Sequence, residues 1–463
     1  MTRRVVTLCL ALALPALPAS SQVQLPQADV LRGAVPAGEK QAAPIDLTLE
    51  QAITRGLEHN LGAILGQEQV REAEGERGEA RSDLLPHVRA GAYALRQKVS
   101  LAAFGFAGFG DFPELIGPFN VVDARGFVSQ TVFDWHAIRH WQSEGSKAQA
   151  ASEQLRSTRD AVVLACAGLY LQAVAGESRI AAAKAQLATA QALFDTASDR
   201  KKAGLAPGID VLRSQVVLAA NRQRLIVAED EAAKEKLALA HAIGLPLGQE
   251  LRLADAMPFA ALPPITEEQA LEKAYATRAD LQAAASRVRA AQQEKSAARG
   301  EGLPSLSVAG DYGWIGNSAS SALGTYSVSA NLKVPVFEGG KVQAKVQQAA
   351  AKLKQAEAAL ADTKARVYYE VQATLLDLKS TEERVTVATD ALEVAEQALT
   401  QSRDRFAAGV AGNIDVTQAQ EAVARAAEER IESLYEHNVS KAALARALGV
   451  AESRYREFLR GRP

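Results

Sequence analysis

The sequence predicts an α+β membrane protein of two repeats, each a long α-helical coiled-coil hairpin carrying one β-hairpin, so that four strands per chain join a barrel completed by neighbouring copies. Three observations predict it: landmarks that recur some two hundred residues apart, proline-free helical stretches too long for a compact domain, and period-two segments of bilayer-crossing length.

The repeat is read from matched residues. Glu50-Gln51-Ala52 returns as Glu268-Gln269-Ala270 and Leu85-Pro86 as Leu303-Pro304, both 218 residues on. Val132-Phe133 returns as Val336-Phe337 after 204, and Gly204 with Ile209-Asp210-Val211 as Gly409 with Ile414-Asp415-Val416 after 205. The offset shrinks by 14 between Pro86 and Phe133, which places an enlarged loop in the glycine- and phenylalanine-rich run Leu101–Phe119. The first repeat is expected over 47–244 and the second over 265–449, with a linker at 245–264 and a tail at 450–463.

Ahead of the repeats, Arg3 and Arg4, the apolar stretch Val5–Leu14 and the small residues Ala19, Ser20 and Ser21 read as a secretory signal peptide over 1–21. Cys9 sits inside that apolar stretch after Leu8, where a lipoprotein signal wants a small residue. The proline-rich lead-in, 22–46, is expected to be extended or disordered. Cys166 alone remains in the mature chain, so packing rather than a disulfide must hold the fold.

Within each repeat a moderate helix is followed by two strands, a very long helix, a tight break and a second moderate helix. The moderate helices are expected at Thr48–Ser82, Val211–Ile243, Thr266–Gly300 and Val416–Leu448. The long ones run from Trp135 to Ala203 and from Glu338 to Ala408 without a proline, about 100 Å each at 1.5 Å per residue. Val385, Ala388, Leu392, Ala395, Leu399, Ser402 and Phe406 follow the 3,4 spacing of a coiled coil, and Ile180, Ala183, Leu187, Ala190, Phe194 and Ala197 repeat it.

The β-hairpins are expected at 87–133 and 304–337. From Ser305, Leu306, Val308, Gly310, Tyr312 and Trp314 share one face, opposite Ser307, Ala309, Asp311 and Gly313. The return strand sets Tyr326, Val328, Ala330, Leu332, Val334 and Val336 against Ser327, Ser329, Asn331 and Lys333. Val88–Val99 and Val121–Phe133 alternate less cleanly. Tyr93, Trp135 and Trp141 are candidates for the membrane interface or for simple core. No stretch past the signal reaches the roughly 18 consecutive apolar residues of a transmembrane helix, so any span is by strands. Four strands cannot close, and lipid does not tolerate unpaired edges; two copies would supply eight strands and three would supply twelve.

The run Leu332-Lys333-Val334-Pro335-Val336-Phe337-Glu338-Gly339-Gly340-Lys341 resembles the strand-to-helix junction of the TolC-like outer membrane efflux protein family, as does Ser129–Trp135 in the first repeat. The resemblance covers roughly Leu47–Gly449 in the same repeat order. It implies a homotrimer with a twelve-stranded β-barrel in the outer-membrane lipid of a Gram-negative bacterium, continued by a helical tunnel into the periplasm. It also implies a passive exit duct of a tripartite efflux or type I secretion system, joined to an inner-membrane pump through a periplasmic adaptor. The junction residues are Phe133, Pro335, Phe337, Gly339 and Gly340: Pro335 lacks a ladder donor, and the glycine pair permits the tight passage into the helix.

The breaks Ala203–Val211 and Ala408–Val416 resemble that family's periplasmic tips, which makes Gly204, Leu205, Gly409 and Val410 the adaptor-docking candidates, each glycine being equally a plain helix stop. Asp210 and Asp415 open the returning helices as caps or dipole partners, or, by the resemblance, ring the pore constriction. A second Asp of that family is replaced by Gln418, and an Arg that latches the tip in some members by Ala411, so a weaker closure is expected.

Catalytic chemistry is not expected. His136 and His140 have i, i+4 spacing, but Ala-Ile-Arg between them lacks the Glu of a zinc hydrolase, so neither metal nor cofactor is expected. Phosphate loops, dinucleotide fingerprints and nucleophile elbows do not occur, and the net charge of -2 gives no field for nucleic acid. The rival reading is a soluble periplasmic coiled-coil scaffold or adaptor without a pore.

Overall fold

The computed structural model describes residues 33–101, 103, 115–204, 207–257, 259–410 and 412–459. In chain order these form β1 (Ile45–Leu47), α1 (Leu49–His59), α2 (Leu61–Ser82), β2 (His87–Ser100), β3 (Leu115–Phe133), α3 (Trp135–Lys202), α4 (Gly208–Ala242) and β4 (Leu251–Leu253). There follow α5 (Glu267–Thr277), α6 (Ala279–Gly300), β5 (Ser305–Gly316), β6 (Leu323–Lys333), α7 (Lys341–Ala407), α8 (Asn413–Ala447) and α9 (Ala451–Leu459). The signal peptide and most of the expected loop lie outside the described residues, and the last part of that loop, from Leu115, is strand.

The long helices match expectation: α3 has 68 residues and α7 has 67, about 100 Å each. The seam from Val385 to Phe406 is buried or half-buried at every expected position. In the first repeat Ala183, Ala190 and Ala197 are buried at their expected positions, and the departure is local: Leu193 is buried beside Phe194, which is half-buried. An 18-residue window of α3 is apolar enough to cross a membrane, but 78% of it is buried within the protein, where it supplies Val162–Val174 to the main core.

Two moderate helices are broken where continuous ones were expected. Asn60 leaves the helical region, and Gly33 O accepts the Leu61 N–H while the Asn60 side chain accepts that of Gly62. Arg278 makes the same break 218 residues later, its guanidinium held between Asp280 and Glu370 at 2.6 Å from each. Both breaks depend on partners distant in sequence, which an uninterrupted helical pattern cannot reveal.

The end of the lead-in is extended, one of its two expected states, and it joins the linker: β1 and β4 pair in parallel from Ile45–Leu251 to Leu47–Leu253. The tail carries α9, which Asp160 on α3 caps by accepting the Glu452 N–H at 2.8 Å while Arg159 chelates the Glu452 carboxylate. Around this belt, α1, α3, α4, α8 and α9 share the largest apolar cluster, and α5, α7 and α8 share a second.

The four remaining strands form one antiparallel sheet in the order β2-β3-β5-β6. β6 stops at Lys333, short of the expected Val334 and Val336, because its partner β5 starts at Ser305 after Pro304 and Pro335 offers no N–H. Among the described residues, neither outer edge, on β2 or on β6, has a partner strand.

Candidate functional site

The sheet has two chemically opposite faces. Val88, Val128, Gly310 and Val328 pair in one row across all four strands, and the three valines are exposed, as are Tyr312, Trp314 and Tyr326 on the same face. Tyr312 and Trp314 meet edge to face, with ring centroids 5.4 Å apart. On the other face Arg125 bonds Asp123 at 2.7 and 2.8 Å and Asp311 at 2.6 Å, and Asp311 in turn accepts from Ser327. Gly313 is required beneath this network, since a Cβ there would lie 2.5 Å from the Ala124 carbonyl oxygen and collide with the Arg125 side chain. Tyr93 belongs to the polar face, its hydroxyl reaching Asp123 at 3.5 Å. Trp135 is packed between helices, donating to Ser296 on α6 with Arg139 over its ring, so it is no strand-end belt residue.

At the junctions the two repeats differ. Phe133 ends β3 beside a register shift, and the Asp134 side chain then caps α3 by accepting the Ala137 N–H. In the second repeat Pro335 and Phe337 lie beyond the strand, and Phe337 is 86% exposed. Gly339 and Gly340 follow with φ of 60° and 82°, a conformation that disfavours any side chain, and α7 starts directly after them.

At the opposite end of the rods, Gly204 and Gly409 both have positive φ, 72° and 77°, and each closes its long helix. Gly409 and Val410 return their N–H groups to Phe406 and Arg405, both at 3.0 Å, which leaves the Val410 side chain 68% exposed. Leu205 and Ala411 lie outside the described residues. Asp210 and Asp415 are not N-caps: Pro207 and Gly412 hold those positions, and both aspartates are the third residue of their helices. Asp415 reaches back to accept the Gly412 N–H at 3.2 Å, whereas Asp210 faces Arg213 at 3.8 Å. Gln418 is exposed one turn beyond Asp415.

Contacts unforeseen in the sequence join the two breaks. Arg200 on α3 donates to the Phe406 carbonyl at 2.6 Å, and Asn413 Nδ2 donates to the Asp210 carbonyl at 3.0 Å. Leu193, Phe406 and Val416 form a small apolar cluster directly behind them. Arg200 opens the cationic run Arg200-Lys201-Lys202, which by pattern suits a helix C-terminus in water, so nothing in sequence singled it out.

The chain matches the profile of the family described as outer membrane efflux protein over residues 66–245 and 270–450, one match per repeat. It is 24% identical over 415 residues to the pyoverdine export outer membrane protein OpmQ of Pseudomonas aeruginosa, covering 88% of this chain and 85% of that one. It is also 24% identical to the alkaline protease secretion protein AprF of the same species, over 70% of this chain and 69% of that one. Among solved structures, the Campylobacter jejuni CmeC outer membrane channel superposes with a TM-score of 0.77 at 17% identity, over 96% of both chains. The outer membrane protein VceC of Vibrio cholerae superposes with 0.76 at 19% identity, over 87% of this chain and 96% of that one.

Proposed function

The chain belongs to the outer membrane efflux protein family, and from that membership we propose that three copies seal one twelve-stranded barrel and one periplasmic tunnel, whose tips meet an adaptor and, through it, an inner-membrane pump. The protein is an outer-membrane exit duct and not an enzyme. The observation that carries the oligomeric reading is the four-stranded sheet with an apolar outer row and, among the described residues, no partner on either edge, because such a sheet is stable in lipid only when neighbours complete the ladder; the number three rests on the family. The polar face with Arg125, Asp123 and Asp311 then lines water, and the helices carry the duct onward. Gly204, Leu205, Gly409 and Val410 are the docking residues at its end, and Asp210, Asp415 and Gln418 line the narrowing beside them. The rival soluble scaffold would leave the valine and aromatic row in water without a purpose.

Chemical crosslinking of detergent-solubilised protein, with conductance in planar bilayers, tests this. A crosslink ladder ending at three and a stable current are expected. A solitary chain released by osmotic shock, passing no current, would overturn it.

A further inference from the structure

The geometry points to a zinc-binding site at the root of the barrel, formed by His140 and Glu144 on α3 with Glu294 on α6. His140 and Glu144 are four residues apart and so share a helix face, and α6 brings Glu294 to them from the other repeat. His140 Nδ1 lies 3.3 Å from Glu294 Oε2 and 3.7 Å from Glu144 Oε1, and the three ligand atoms lie within 4.8 Å of one another. A tetrahedral zinc with bonds of about 2.0–2.2 Å holds its ligands roughly 3.3–3.6 Å apart, so little movement separates this arrangement from a binding one.

The electrostatics favour a doubly charged guest. Two carboxylates converge on one ring nitrogen, which can donate to only one of them at a time. The Glu144 side chain is 6% exposed, and its other cation is Lys147, at 2.6 Å. Lys147 is half exposed on a flexible stem and, among the described residues, pairs with Glu144 and not with Glu294, whereas a divalent ion would bind both carboxylates and the ring together. One imidazole nitrogen with two carboxylate oxygens suits zinc better than the all-oxygen shells of magnesium or calcium. His140 and Glu294 are each about one-third exposed, which leaves an entry path and a position for water.

The site is not the His136–His140 pair that spacing brings to mind. Those rings stack in parallel at 5.9 Å, but the atoms that converge within 4.8 Å are those of His140, Glu144 and Glu294, while His136 Nδ1 turns away to donate to the Ala297 carbonyl at 3.1 Å. An ion on His140, Glu144 and Glu294 would instead pin the long helix of the first repeat to α6 of the second, beside the Ser143–Ala290 and Ser146–Gln293 hydrogen bonds that already join them.

Tag-free full-length protein in detergent, stripped with EDTA, desalted and titrated with zinc alone, tests the site by metal content and by melting temperature. About one zinc per chain and a melting rise of a few degrees are expected. His140→Ala and Glu294→Gln should each weaken zinc binding at least about tenfold, His136→Ala should not, and Lys147→Met should tighten it severalfold by removing the competing cation. Zinc content equal in the wild type and Glu294→Gln, or loss only in His136→Ala, would overturn the assignment. Should the ligand variants fold poorly, Lys147→Met still decides, since no gain in affinity there refutes it.

Discussion

Arg200 Nη1 donates to the carbonyl of Phe406 at 2.6 Å while its guanidinium lies 4.9 Å from the centre of the same residue's ring. One side chain at the end of the first long helix thereby holds both the backbone and the ring at the end of the second. The carbonyl belongs to the last turn of α7 and also accepts the Gly409 N–H, so the bond sits where helix partial charge is negative and a cation is favoured.

Arg200→Ala should loosen the tips. A charged hydrogen bond to a carbonyl is worth about 1.5–3 kcal/mol, so its loss shifts any equilibrium between tip arrangements that keep and break the contact by roughly ten- to a hundredfold. Single-channel recordings should show more frequent or larger openings, and Arg200→Lys should fall between, because an ammonium is a point charge that lacks the planar fork. Unchanged currents in Arg200→Ala would mean that the gate is held elsewhere.

What could be read in sequence follows from how local each cause is. The long helices, their seam and the alternation of β5 are periodic and were readable, as were the positive-φ positions Gly204, Gly409, Gly339 and Gly340, because glycine marks a conformation that other residues avoid. The breaks at Asn60 and Arg278, the β1–β4 pair and α9 are imposed by partners far along the chain, so local pattern was silent about them. At the tips, of the two local roles open to Asp210 and Asp415 the structure gives the dipole one: the chain enters the helix earlier, at Gly208 and Asn413, so the carboxylates are third residues in the first turn rather than caps.

Asp160 makes stability depend on pH. Burial pushes its carboxyl up to about 6, against the opposing pull of the Glu452 N–H, and the Glu452 carboxylate adds to the rise. The native state therefore holds a proton that the unfolded chain has released between about pH 4 and 6, so this group's contribution falls as pH rises through that window. Asp160→Asn keeps an oxygen for the Glu452 N–H and removes the charge. It should melt higher than the wild type above pH 6, by up to about 3 kcal/mol, and converge with it below pH 4. A variant less stable than wild type at pH 8 would show that the charge itself anchors α9.

Lys441 is the converse case on α8. It is fully buried, donates to the Ala260 carbonyl at 3.2 Å, and burial pulls its ammonium down to about 8. The native state binds fewer protons than the unfolded chain between about pH 8 and 10.5, so stability rises with pH across that range and the full cost is present below it. Lys441→Met loses one hydrogen bond, roughly 1 kcal/mol, but escapes a cost of about 3 kcal/mol. Circular dichroism melts at pH 7 should show the variant stabilised, with the gain fading towards pH 10.5. Destabilisation at pH 7 would mean that the Ala260 bond, which ties the linker to α8, outweighs the buried charge.

Glycines of equal backbone conformation should differ in cost according to what surrounds them. Gly449 ends α8 with φ of 65°, and a Cβ there would stand 2.8 Å from Arg278 Cα, at the break between α5 and α6. Gly244 ends α4 with φ of 66° and would meet the Val35 carbonyl oxygen at 2.6 Å and His59 Cβ at 2.8 Å, beside the matching break at Asn60. These collisions involve backbone or tightly packed stem atoms, which cannot swing aside. Gly204 at the tip has φ of 72° but, among the described residues, nothing within 4 Å of the added carbon. Alanine at Gly204 should therefore cost only the left-handed penalty, about 1–2 kcal/mol. Alanine at Gly449 or Gly244 adds overpacking of about 1–3 kcal/mol and should also loosen the helix break it presses on. Denaturant titration of the three variants separates the two costs; equal losses at Gly204 and Gly449 would refute the claim that the helix ends lock the breaks.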